Sequence, residues 1–307
     1  MLKLIGFRLL QFPLILAAIY LLTFLLVWIA PGDPFANERN VDPMVQRSLK
    51  ERFHSQSALG FLGYYPIRML HGDFGPSMVH KEWPVSDIIK SSLPVSVTLG
   101  IFAMLIAVPV GVAVGTMAAV NRNGALDWFS LIIALVGISV PGFVVAAGLL
   151  IVAATTAWFP IGGWGSIRGM ILPGLALSLA PMAYIVRLTR VSMLDTLGAD
   201  FVRTARAKGL SRSIVIWKHC LRNAFLPTLT YLGPATALTM TGSFVIEKVF
   251  QVPGIGQHFV DSVTGRDRTL ILGVVMVESS LLLVFNLLVD LAYGWLDPRI
   301  DITARAA

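Results

Sequence analysis

Two acidic residues inside the last apolar stretch are the side chains whose position most readily suggests chemistry. Glu278 and Asp290 interrupt the otherwise apolar run Leu270–Leu296, and Asn286 lies between them. A carboxylate at the depth of a bilayer is costly unless it is paired or hydrated, so it is a functional candidate by default. Glu278 could carry a proton or border a substrate path, and Asn286 could line that path or bridge helices. For Asp290, near the end of the run, we favour a structural pair with a hydroxyl or an arginine of a partner chain.

The other reactive side chains form no recognisable catalytic or metal-binding pattern. The five histidines include no pair with zinc-ligand spacing on a helix, and the single cysteine, Cys220, cannot build a cysteine-rich site. The sequence contains neither a nucleophile elbow nor a Gly-x-x-x-x-Gly-Lys-Ser/Thr phosphate loop. Gly111-Val-Ala-Val-Gly115 lacks the lysine and instead predicts close packing of a neighbouring helix. We therefore expect no catalytic residue, metal or cofactor on this chain, and an intramembrane enzyme is the least favoured class.

The composition indicates a membrane protein. Hydrophobic residues make up 56% of the 307 positions and charged residues 13%, with a mean hydropathy of +0.76. A soluble domain usually carries about 25% charged residues. In this setting the net charge of +7 indicates loops that face an anionic membrane surface, and it does not indicate nucleic-acid binding.

Six apolar stretches are each about long enough to cross a bilayer, which takes about 20 residues. They are Leu9–Ala30, Pro94–Val120, Trp128–Ala157, Gly169–Val186, Ala224–Ile246 and Leu270–Leu296. Several of them contain prolines that predict kinks, among them Pro109, Pro141, Pro181 and Pro234. We interpret residues 1–307 as a single transmembrane domain. Residues 31–93 would form a long loop of turns and short helices, with one such helix at Gln46–His54.

Basic residues predict the orientation of these spans. The segment 187–223 carries eight of them: Arg187, Arg190, Arg203, Arg206, Lys208, Arg212, Lys218 and Arg222. Because short basic loops face the cytoplasm, this segment should be cytoplasmic. Six spans then place both termini inside and the loop 31–93 outside.

The same basic segment reads as a hairpin of two short helices separated at Gly209. Phe201, Val202, Ala205 and Gly209 fall at helical spacing on one face. Gly209 suits the left-handed residue that ends a helix, and Ser211 can cap the next one. A bare surface of small residues would let another backbone approach closely, and it comprises Thr204, Ala205, Ala207 and Gly209. The pattern fits a docking surface for another protein, and it equally fits a basic amphipathic helix lying on anionic lipid.

A family resemblance favours the first alternative. Arg203-Thr-Ala-Arg-Ala-Lys-Gly209 resembles the cytoplasmic "EAA" loop of permease subunits of bacterial ABC importers, in the form found in the peptide/nickel family. Arg203-Thr204-Ala205 stands where the general pattern has Glu-Ala-Ala, and Gly209 matches. Leu221-Arg222 replaces the later Leu-Pro, with a proline only at Pro227. These departures resemble the peptide-family variant.

Further stretches extend the resemblance over essentially the whole chain. They are Pro31-Gly-Asp-Pro34, His71-Gly-Asp-Phe-Gly-Pro-Ser77, Leu93-Pro-Val-Ser96, Glu247-Lys-Val-Phe-Gln-Val-Pro-Gly-Ile-Gly256 and Asp290-Leu-Ala-Tyr-Gly-Trp-Leu-Asp-Pro298. As an ordered set they resemble the B-type permease subunit of this importer family.

The resemblance implies a fold and a function. The fold is an all-α integral membrane bundle, the six-helix permease of a type I ABC importer, in the bacterial inner membrane. The implied coupling helix, which docks on a cytoplasmic ATPase, consists of Arg203, Thr204, Ala205, Arg206, Ala207, Lys208 and Gly209. Glu278 and Asn286 would be candidates for the translocation path.

The resemblance also implies partners and a class of substrate. The partners are a second, C-type permease subunit, two ATPase subunits that carry ATP and Mg²⁺, an external substrate-binding protein and membrane lipid. Oligopeptides or dipeptides are the favoured substrates, while glutathione, nickel chelates, haem and opines stay open. A proton-coupled secondary transporter that uses Glu278 is the alternative.

Overall fold

A computed structural model describes residues 2–31, 57–79, 83–240 and 244–296. The regular elements in these ranges are helices. They are α1 (Leu2–Ile29), α2 (Ala58–Leu70), α3 (Val85–Val120), α4 (Ala125–Ser139), α5 (Gly142–Thr156), α6 (Ile167–Leu197), α7 (Asp200–Ala207), α8 (Arg212–Ile214), α9 (Leu221–Ala224), α10 (Leu226–Met240), α11 (Phe244–Val249), α12 (Ile255–Gly265) and α13 (Arg268–Leu296). The predicted helix at Gln46–His54 lies outside the described residues.

Four helices are long and apolar enough to cross a membrane, and they confirm the first, second, fourth and sixth predicted spans. These crossings are Gly6–Ile29, Val85–Val120, Ile167–Leu197 and Arg268–Ala292. The helix Ile167–Leu197, which contains the fourth predicted span, is much longer than the predicted stretch and keeps Pro173 and Pro181 in its interior. The fold is therefore that of an all-α integral membrane protein.

The third predicted span, Trp128–Ala157, is wrong as a continuous helix. It divides into α4 and α5, whose axes differ by 107°. The break falls at Val140-Pro141, where Val140 is extended with φ −86° and ψ 121°. Proline disfavours the helical conformation in the residue before it and offers no backbone donor, so the helix stops there and restarts at Gly142. By length and composition the bent pair supplies at most one further crossing.

The fifth predicted span, Ala224–Ile246, is distributed over several shorter helices. The 15-residue helix α10 covers most of it, and α11 begins at Phe244. Residues 241–243 lie outside the described ranges. The described residues thus supply four crossings, or five with the bent pair, and a count of six stays a prediction.

The chain divides by its internal contacts into two compact units. One comprises Val97–Val252 together with the chain from Val284, and the other comprises Leu2–Ser96 and Pro253–Leu283. Helices α3 and α13 contribute residues to both. The interpretation of residues 1–307 as a single domain stays a prediction.

Helix α6 forms the centre of the first unit, because glycines on neighbouring helices let it approach closely. A Cβ atom on Gly115 of α3 would lie 2.6 Å from the Val186 carbonyl oxygen, and one on Gly111 would lie 2.7 Å from the Ile185 side chain. On α4, a Cβ atom on Gly137 would lie 2.6 Å from the Ala183 Cβ. The predicted close packing at Gly111 and Gly115 is confirmed.

Asp267 in the second unit is fully buried and joins two segments of that unit. One carboxylate oxygen accepts hydrogen bonds from the Ser77 hydroxyl and the Val79 amide, the latter at 3.1 Å. The other accepts from the Thr269 hydroxyl at 2.8 Å and the Leu270 amide at 3.0 Å. The carboxylate therefore caps α13 and fastens the segment around Ser77 to the start of that helix.

Candidate functional site

The backbone of the hairpin has the helix break and the helix cap that its sequence predicts. Helix α7 ends at Ala207 with Lys208 as its C-cap, and Gly209 adopts the left-handed conformation with φ +78°. The Ser211 hydroxyl then accepts from the Ile214 amide at 3.5 Å. The predicted break at Gly209 and cap at Ser211 are confirmed. Sequence reasoning missed the π-helical turn Val215–Cys220 that joins α8 to α9, a type of turn that is frequent at functional sites.

One face of the hairpin packs on its own chain. Val202 and Ala205 of α7 and Val215, Ile216, Cys220 and Ala224 of the second arm are buried in one cluster with Ala119 and Met193. Ala205 is only 8% exposed, so its predicted place on a bare outer surface is wrong. A short helix has room for one apolar stripe, and positions 202 and 205, one turn apart, use it to seat α7 on the ends of α3 and α6.

The opposite face of the hairpin is exposed and carries both apolar and basic side chains. Its large apolar side chains are between 37% and 45% exposed, and they are Phe201, Leu210, Ile214 and Trp217. The other predicted coupling residues, Arg203, Thr204, Arg206, Ala207, Lys208 and Gly209, are also exposed. An exposed apolar patch with a polar rim marks a surface that binds another protein or a membrane. We call these ten residues the outer hairpin face.

Cys220 plays a packing role in the hairpin. Its thiol is fully buried, and desolvation raises the pKa of the thiol, an effect that the nearby charge of Arg206 partly opposes. A buried thiol with a raised pKa is a poor nucleophile. The prediction that Cys220 is a packing residue is confirmed.

An ion pair between a half-buried arginine and a buried carboxylate braces the helix that leads into the hairpin. Arg190 of α6 donates two hydrogen bonds to Asp127 of α4, one of them at 2.9 Å from Nη2 to Oδ2. The side chains are 19% and 4% exposed, respectively. Asp127 Oδ2 also accepts from the Asn123 amide at 2.9 Å. The pair thereby ties the turn between α3 and α4 to the helix that carries the hairpin.

Sequence reasoning missed this pair, because its members lie 63 residues apart and the pattern of basic residues assigns Arg190 to the loop charges that predict the orientation. The sequence contains one weak indication that these two residues pair. Asp127 and Arg190 each stand at the edge of an apolar stretch, where an unpaired charge would be costly.

The two candidate path residues lie on α13 and are half-buried. A Cβ atom on Gly233 of α10 would lie 2.8 Å from the Asn286 side-chain oxygen. Asn286 therefore packs against a neighbouring helix, as expected of a residue that bridges helices. Glu278 lies in the part of α13 that belongs to the second unit, within a candidate crossing.

Fold and site together define a helical integral membrane protein that carries a two-faced surface hairpin. The chain belongs to the family of binding-protein-dependent transport system inner membrane components, whose profile matches residues 111–302. The resemblance identified from the EAA-like loop is confirmed.

Individual relatives are similar over nearly their full length. The chain is 44% identical to the dipeptide transport system permease protein DppB of Bacillus subtilis over 92% of each chain. It is 42% identical to the oligopeptide transport system permease protein OppB of Haemophilus influenzae and 41% identical to OppB of Escherichia coli K12, in both cases over 98% of this chain and 99% of the relative.

Proposed function

We propose that this chain is one permease half of an ATP-driven importer for oligopeptides or dipeptides. The single observation that carries the coupling role is the two-faced hairpin, seated on its own bundle through Val202 and Ala205 while it presents apolar and basic side chains outward. The transport systems named for the relatives support the substrate class. The energy would come from the hydrolysis of ATP, which two partner ATPase subunits would bind together with Mg²⁺.

The remaining partners follow from the same assignment. A second, C-type permease would complete the path, and an external binding protein would deliver the peptide. The outer hairpin face would dock on an ATPase subunit, where its exposed apolar side chains would be buried. Removing apolar surface from water is the main driving force for such association.

We further propose that both termini and the hairpin face the cytoplasm. In a Cys220→Ser background, a cysteine at Ser57 should react with an impermeant thiol reagent added outside intact cells, and a cysteine at Ser213 should not. Both positions are exposed, so access across the membrane decides the result. Labelling of Ser213→Cys but not of Ser57→Cys would overturn the orientation and the coupling role.

The docking role is tested by two variants of the outer hairpin face. Ala207→Trp adds bulk at an exposed position of α7, and Gly209→Val forces a β-branched residue into a left-handed conformation. Both variants should insert in the membrane and pair with the second permease, but lose ATPase subunits on purification. Binding-protein-stimulated ATP hydrolysis should fall at least about tenfold, equivalent to about 1.4 kcal/mol.

The control is Asn121→Trp, which adds the same bulk at an exposed position of the turn between α3 and α4. An ordinary surface change stays within about 0.5 kcal/mol, so this variant should keep its ATPase. Normal ATPase retention and stimulation in both hairpin variants would leave the membrane-surface helix as the better account of residues 203–209.

A proton-coupled carrier is the second candidate, because Glu278 is a half-buried acid within a candidate crossing. If partner ATPases supply the energy, Glu278→Gln should retain most of the ATP-driven uptake. The measurement is peptide uptake in parallel with ATP hydrolysis and subunit assembly. Loss of uptake with normal hydrolysis and assembly would favour the carrier or a direct contact between Glu278 and the substrate.

A further inference from the structure

Helix α2, in the segment between the first two crossings, is apolar on two opposite sides. Leu59, Ile67 and Leu70 are 81%, 59% and 87% exposed, and their spacing of eight and three residues places them on one helical face. On the opposite side, Phe61 and Tyr65 are buried in an apolar cluster with α1. A helix that is apolar around most of its circumference is typical of a segment buried in protein or in a membrane, and not of a loop in water.

Aromatic contacts hold α2 against the end of the crossing in α1. The centre of the Phe61 ring lies 6.2 Å from that of Phe24 and 6.3 Å from that of Trp28. The Arg268 guanidinium carbon, at the start of the crossing in α13, lies 4.3 Å from the centre of the Trp28 ring. Tryptophan prefers the membrane interface, and Phe24 lies one turn, about 6 Å, deeper. Phe61 therefore packs at and just below the interface.

A hydrogen bond from α1 replaces one that α2 cannot make itself. Pro66 lies inside α2 and has no amide to donate to the carbonyl of Leu62, four residues earlier. The Tyr20 hydroxyl donates to this carbonyl at 3.2 Å. Tyr20 precedes the end of the crossing at Ile29 by about 13 Å of helix, and the hydrocarbon of one leaflet is about 15 Å thick. In lipid, a freed carbonyl needs such a partner within the protein.

The two ends of α2 are polar, which indicates that the helix lies along the interface. The Ser57 hydroxyl caps the first turn by accepting from the Gly60 amide at 3.0 Å. Arg68, the one charged residue in the sequence of α2, donates from Nε to the exposed Asp73 at 2.9 Å. The apolar face of an interfacial helix reaches about 5–10 Å below the headgroups, a depth that suits the contacts of Phe61.

We propose that α2 is embedded in the membrane interface and that Leu59, Ile67 and Leu70 contact the acyl chains of the lipids around α1. Lipid chains are the occupant of this face because the bond between Tyr20 and Leu62 joins α2 to α1 at the depth of the hydrocarbon. Contact with lipid removes the three exposed side chains from water. Only the assignment to the outer leaflet depends on the orientation proposed above.

The test uses nitroxide labels and electron paramagnetic resonance on the full-length chain in phosphatidylglycerol vesicles, with and without its co-purifying subunits. Labels are attached to Leu59→Cys and Ile67→Cys in the Cys220→Ser background. Collision rates are measured with oxygen, which concentrates in hydrocarbon, and with the water-soluble nickel complex NiEDDA. In the isolated chain, Leu14→Cys, 74% exposed within the crossing of α1, is the reference for hydrocarbon. Ser213→Cys, exposed in the hairpin, is the reference for water.

At both positions of α2, the ratio of oxygen to NiEDDA collisions should be close to that at Leu14→Cys and far above that at Ser213→Cys. A ratio like that at Ser213→Cys would overturn the proposal. Low rates with both reagents in the isolated chain would overturn it too, because residues 32–56 or another segment would then cover this face. Low rates with both reagents only in the complex would overturn it in favour of a partner protein. Collision rates are independent of peptide uptake, so this proposal can fail while the transport assignment stands.

Discussion

Asp127→Ala should lower the free energy of unfolding by about 1–3 kcal/mol, because it leaves the half-buried Arg190 without its carboxylate partner. The wild-type pair has two hydrogen bonds and little solvent access. The variant also removes the acceptor for the Asn123 amide. Unfolding in detergent, followed by the loss of helical signal with denaturant, gives the measurement. Because Arg190 lies on the helix that leads to the hairpin, stimulated ATP hydrolysis should fall too.

Two further variants separate the ion pair from a general effect of mutation. Asp195→Ala removes an exposed carboxylate from the same helix as Arg190, and it should change stability by no more than about 0.5 kcal/mol. Asp127→Leu/Arg190→Met replaces the pair with apolar side chains and should recover most of the loss. Equal destabilisation by Asp127→Ala and Asp195→Ala would refute the bracing role of the pair.

Gly115→Val should cost about 3 kcal/mol or prevent accumulation of the protein in the membrane. A Cβ atom there would lie 2.6 Å from the Val186 carbonyl oxygen, 2.9 Å from the Thr189 Cβ and 3.2 Å from the Arg190 amide nitrogen. Two of these atoms belong to the backbone of α6, so a side-chain rotation cannot relieve the overlap. Overpacking of this kind typically costs about 1–3 kcal/mol, occasionally more. The quantities to measure are the amount of inserted protein and its unfolding free energy.

Gly148→Ala is the matched control for this variant. Gly148 also lies inside a helix, but a Cβ atom there would have nothing within 4 Å. Alanine should therefore be neutral or stabilise the helix by up to about 1 kcal/mol. If Gly115→Val accumulated and unfolded like the wild type, α3 and α6 would not be packed as closely as described.

The long apolar spans could be predicted from the sequence because each is a local property of about 20 residues. The bend at Pro141 could be anticipated only as a kink, since Pro181 is also inside an apolar stretch and stays within α6. Whether a proline kinks or divides a helix depends on how neighbouring segments satisfy the freed backbone groups. That information is not contained in the local sequence.

The hairpin shows the same division between local and long-range information. Gly209 and Ser211 act through their own backbone and their nearest neighbours, so their roles could be predicted. The burial of Ala205 depends on Ala119 and Met193, which are distant in sequence. The pairing of Asp127 with Arg190 is equally non-local. Helical periodicity identifies an apolar face, but it does not tell whether that face meets the same chain or a partner.

The most direct test of the proposed function is peptide uptake into vesicles that contain this chain together with the subunits that co-purify with it. We predict uptake of a labelled oligopeptide that requires ATP on the cytoplasmic side and the binding protein on the other side, with no requirement for a proton gradient. Uptake by the chain alone, driven by a proton gradient without ATP and abolished by Glu278→Gln, would contradict the account.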